Sequence, residues 1–98
     1  MDHTTHARLE APELNAANIE GATIYGPDDE TIGDVAHLHG EGRDARVVVD
    51  AGGFLGIGSK RVALLMARLD FMRDDAGTVH ATTDMTKDEV KSLPEYQD

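Results

Sequence analysis

The side chains able to do chemistry are five histidines and nineteen carboxylates, so the first question is whether any spacing assembles them. His37 and His39 stand two apart, and on an extended strand alternate residues share a face, which lets two imidazoles reach one metal ion. A small-ligand or metal site would draw on His37, His39 and His80, but no spacing supplies a third ligand beside the first two. His3 and His6 are three apart, a spacing that meets on a helix face, yet two ligands make no site and Asp2, Glu10 and Glu13 suit a solvated tail equally well. Asp34, Asp50 and His37 are raw material for acid–base hydrolysis, although single carboxylates near strand ends need a positioned partner to act. Gly52 to Lys60, reading GGFLGIGSK, contains glycines, a serine and a lysine, but a phosphate-cradling loop needs Lys before Ser or Thr and a helix after it. Here Ser59-Lys60 leads into alternating Val62, Leu64 and Met66, the pattern of a strand. The sequence is therefore read as a non-enzyme, with no catalytic, cofactor-binding or metal-ligating residues.

The elements that would position these groups are short and β-rich. Ala22 to Tyr25 reads as a strand ended by the turn Gly26-Pro27-Asp28-Asp29-Glu30, in which Pro27 fixes φ. Thr31 to His39 reads as a strand kinked at a bulge near Gly33, after which Val35, His37 and His39 share one face and Ala36 and Leu38 the other. Arg46 to Ala51 has apolar residues of both parities and is expected in the middle of a sheet. Arg61 to Met66 follows as its neighbour. Asp70 to Arg73 and Thr78 to Thr82 form a hairpin around Gly77, with Phe71 and Val79 inward and Arg73 facing water. Thr86-Lys87-Asp88-Glu89 has the spacing of a capping box, so a short helix starts at Lys87 and ends before Pro94. Residues 1–18 show no sustained period and are expected to be a flexible arm, or one that docks on a neighbour; residues 19–96 are the folded domain.

Between the third and fourth long runs, Gly52, Gly53, Gly56 and Gly58 surround Phe54, Leu55 and Ile57. Glycines permit tight bends, while bulky apolar residues between them need something to bury against. Two readings stay open: the three side chains plug the end of their own domain, or they touch another protein.

A formal charge of −10 repels phosphate backbones and anionic lipid surfaces, which argues against nucleic acid as a partner. No apolar run approaches the ~20 residues that span a bilayer, and no basic start precedes an apolar stretch, so direct membrane insertion and export are not expected and the cytoplasm is. The absence of cysteine removes disulfides as staples for so small a core, leaving oligomerisation.

With five or six short strands, regular turn signals and one terminal helix, the sequence resembles the PRC-barrel domain family. The resemblance rests on Gly21 to Gly26, Glu30 to Val35, Val47 to Asp50, the glycine segment Gly52 to Gly58 with Lys60 to Leu64, and the ending Met85 to Glu89 through Leu93 to Tyr96. The chain departs from the family where a proline and an acidic residue often follow the fourth strand, having Leu65 and Ala67 there, and where an Asp is frequent, having His37. The resemblance implies an all-β fold, a small six-stranded barrel with a short C-terminal helix, used as a docking module. Relatives include the cytoplasmic part of the photosynthetic reaction-centre H subunit and a domain of ribosome-maturation factors; this chain resembles the free-standing bacterial forms. The expected function is a protein-interaction module, homodimeric, with an unidentified protein partner and contacts from Phe54, Leu55, Ile57, Gly52, Gly53 and Gly56. A ligand- or metal-binding barrel and an accessory to a membrane photosystem are the alternatives.

Overall fold

The computed structural model describes residues 7–40, 44–52 and 60–96. Seven strands form one sheet: β1 (Ala7–Arg8), β2 (Thr23–Tyr25), β3 (Thr31–His39), β4 (Arg46–Ala51), β5 (Lys60–Leu65), β6 (Asp70–Arg73) and β7 (Val79–Thr82). Two short helices accompany them, α1 (Ala16–Ile19) and α2 (Lys87–Lys91). The order across the sheet is β1-β6-β7-β2-β3-β4-β5. Among the described residues only the β2–β7 pair is parallel; it brings the hairpin of β6 and β7 beside the meander of β2 to β5.

One face of this sheet encloses the core. Ile24, Val35, Val47, Val49, Ala51, Val62, Leu64, Phe71 and Ala81 alternate inward from six strands and meet Ile19 of α1 and Val90 of α2 in one cluster. β-Branched side chains dominate because they pack well on a pleated surface. The buried stripes of β4 and β5 match the alternation read from sequence.

Strand β3 departs from the expected faces. It carries two register shifts: Ile32 is the extra residue against β2, and Ala36 the extra residue against β4. The second bulge switches parity, so Val35 stays in the core opposite Val49 while His37 and His39 turn to the outer face opposite Val48 and Arg46. Val35 therefore does not share a face with the histidines, and Leu38 packs inward. Gly33, between the bulges, is where β3 presses on β4: a Cβ there would lie 2.2 Å from the Asp50 carbonyl oxygen and 3.0 Å from Ala51 Cα. No residue but glycine fits that approach.

The capping box forms as read. The Thr86 hydroxyl accepts from the Glu89 amide at 3.2 Å, and the Glu89 carboxylate accepts from the Thr86 amide at 3.1 Å. Glu30, in the turn before β3, accepts from the Lys87 amide at 3.1 Å, while Lys60 of β5 donates to the Lys91 carbonyl at 2.9 Å. Both ends of α2 are thus tied to the sheet, with Val90 fully buried beneath.

The residues assigned by sequence to an arm contribute structure from Ala7 onward. Ala7 and Arg8 pair with Arg73 and Met72, and the Leu9 amide donates to the Phe71 carbonyl at 2.9 Å. Asn15 caps α1 by accepting from the Asn18 amide at 3.0 Å, and Glu13 meets the half-exposed Arg73 at 3.4 Å. Arg73 therefore leans on this segment as well as on water. Strand β5 ends at Leu65, one residue earlier than expected, because Met66–Arg68 tighten into a 3-10 turn that leads to β6.

Candidate interaction surface

The outer face of the sheet holds most of the polar side chains that sequence singled out, and the ladder sets their distances. His37 and His39 have ring centroids 6.2 Å apart, and the His39 ring lies 5.7 Å from Tyr96. His80 is elsewhere: its Cα is opposite Thr23 of β2, and its buried ring meets Tyr25 edge-on at 5.9 Å. The three imidazoles are thus not brought together. Among the described residues no group of three or more His, Asp or Glu is placed to hold a metal ion. His3 and His6 lie outside the described residues.

Asp34 and Asp50 do face each other across β3 and β4. The exposed ion pair of Asp50 with Arg61, at 3.0 Å, occupies one of the two carboxylates, and His37 sits farther along β3 opposite Val48. Among the described residues this arrangement sets an ion pair on the outer face, with His37 apart from it.

Of the interaction residues expected from sequence, Gly53, Phe54, Leu55, Gly56 and Ile57 lie outside the described residues, as do Gly58 and Ser59. Gly52 is described. Its φ of +72° is in the left-handed region, and a Cβ there would come within 2.4 Å of Lys91 Cε, so glycine ends β4 where α2 crosses it.

The edge of β5, next to the same hairpin, is a feature that sequence reasoning passed over. Leu65 is the large apolar residue left exposed among the described residues, at 51 %. Beside it runs a groove of about 240 Å³ lined by Arg46, Ala63, Leu64 and Leu65. The signal was present in the alternation: with Val62, Leu64 and Met66 inward, Arg61, Ala63 and Leu65 must face outward. No helix among the described residues is long and apolar enough to cross a membrane.

A bulged, mostly antiparallel sheet wrapped on an aliphatic core and closed off by a capped terminal helix defines a small all-β domain of barrel type. The family model for the PRC-barrel domain matches residues 12–90, most of the described structure, and the chain belongs to that family. Among curated proteins no significant match is found.

Proposed function

We propose that this chain is a non-enzymatic, cytoplasmic docking module that self-associates as a homodimer and presents Phe54, Leu55 and Ile57, spaced by Gly52, Gly53 and Gly56, to a protein partner. The observation that carries this reading is the exposed apolar edge of β5, where Leu65 stands beside a groove lined by Arg46, Ala63, Leu64 and Leu65, at the end of the hairpin whose connecting sequence reads GGFLGIGS. An exposed leucine beside an apolar groove on a small acidic domain suits contact with another protein. Membership of the PRC-barrel family supports the same reading, since a fold of this kind serves as a platform and function resides in the surface grafted on it.

Sedimentation velocity at micromolar concentration tests the proposal. Wild-type chain is expected to run as a dimer, and a variant carrying Phe54→Ser and Leu55→Ser is expected to weaken the dimer while keeping its thermal melt. A monomeric wild type whose size and folding are indifferent to the double substitution would overturn it.

A further inference from the structure

We infer that two copies of this chain join edge to edge through β5, antiparallel and centred on Leu64, so that Ala63 of each copy pairs with Leu65 of the other. The inference rests on the self-association proposed above and gives it a surface and a register.

The backbone directions come first. Antiparallel ladders alternate between residues that bond to the neighbouring strand and residues whose N–H and C=O point away from it. The Met66 amide donates to the Ala45 carbonyl at 2.9 Å, which fixes the phase: Lys60, Val62 and Leu64 bond to β4, while Arg61, Ala63 and Leu65 direct their backbone groups to the lateral edge. Tyr96 takes one of these positions, donating its amide to the Arg61 carbonyl at 2.7 Å. Among the described residues no backbone bond from outside the sheet reaches Ala63 or Leu65. Tyr96 thus occupies the Arg61 end, and the pairing inferred here uses the Leu65 end.

A twofold axis at Leu64 uses that end. Ala63 and Leu65 of one copy then face Leu65 and Ala63 of the other as two hydrogen-bonded pairs, leaving the bond from the Tyr96 amide to the Arg61 carbonyl in place; the Tyr96 ring, 5.7 Å from His39 of the His39–Arg46–Leu65 row, belongs to the same end of the outer face. The side chains fit the same operation. Ala63 and Leu65 both project to the outer face, so the exposed leucine of each copy lies over the small Ala63 of its partner, into the groove bounded by Arg46 and Leu64. Knob and groove are on one patch, which is the self-complementarity that a twofold interface requires and that an unrelated extended peptide would have no reason to match. Charge favours the same place. A chain of net charge −10 repels its copies, and the groove is lined by an arginine and apolar residues with no carboxylate.

The test uses the full chain, which has no cysteine of its own. Ala63→Cys and Leu65→Cys are made separately, each is checked for an unchanged thermal melt, and the two are oxidised mildly, alone and mixed. Opposed residues in a hydrogen-bonded pair have Cα atoms about 5.5 Å apart, within reach of a disulfide, whereas diagonal neighbours are about 7–8 Å apart. The expected result is covalent dimer in the mixture and not in either variant alone. Leu65→Lys is expected to weaken sedimentation-detected association about tenfold or more. A wild-type dimer that forms no mixed disulfide, or forms disulfides equally in the unmixed variants, would overturn this register while leaving self-association standing. A wild-type monomer would overturn both.

Discussion

Strand β4 has two neighbours and meets them in opposite ways. On the β3 side the pairing is interrupted by the Ala36 bulge and pinned where Gly33 presses on Asp50 and Ala51. On the β5 side six consecutive pairs run from Arg46–Leu65 to Ala51–Lys60 without a shift. Bulges bend and twist a strand, so the first seam turns the sheet around its core. The second seam is regular and ends in an edge, and regular edges are where sheets add further strands. The seam with the most constraint builds the fold, and the seam with the least leaves a surface for use.

Breaking the constrained seam is expected to cost most. Gly33→Ala drives a Cβ to 2.2 Å from a backbone carbonyl, which has no flexible end to yield, and should destabilise the domain by about 3 kcal/mol. In a chain of this size that is a fall in Tm of roughly 12 °C or more by calorimetry. If Gly33→Ala melts like wild type, the contrast between the seams is lost. Val49→Ala sits in both seams, opposite Val35 and Val62 and fully buried, and is expected to cost about 2 kcal/mol from two lost methyl groups and the space they leave. Thr86→Ala removes the cap of the helix that bridges the ends of both seams and should cost about 1 kcal/mol in a denaturant titration. On the regular seam, Asp50→Asn breaks an ion pair whose partners are both substantially exposed. Its expected cost is about half a kcal/mol, vanishing as salt is raised.

The same contrast explains what the sequence made legible. The Thr86–Glu89 box is local chemistry over four residues, and the alternation of Val47, Val49 and Ala51 or of Val62 and Leu64 is a period that survives any tertiary context. Those elements, the Gly77 turn and the six principal strands were readable, and so was the family. The Ala36 bulge was not. Alanine carries no turn signal, and whether the extra residue sits at position 33 or 36 depends on how β4 is paired, a nonlocal fact. That one slip moved His37 and His39 to the other face from Val35. Residues 7–9 escaped for a similar reason: a two-residue strand has no period to detect, and its partner, β6, lies more than sixty positions later in the chain. Leu65 stood in the outward parity. Its significance depended on β5 being the last strand of the sheet, which topology alone reveals.

The bond from Tyr96 to Arg61 has one further consequence. By covering the start of β5 with its own tail, the molecule leaves room for a single short docking and denies the sliding alternatives that a valine- and leucine-rich ribbon would otherwise accept. For the pairing inferred above, this main-chain latch near the carboxyl end would act as a register stop, holding two copies to the alignment centred on Leu64.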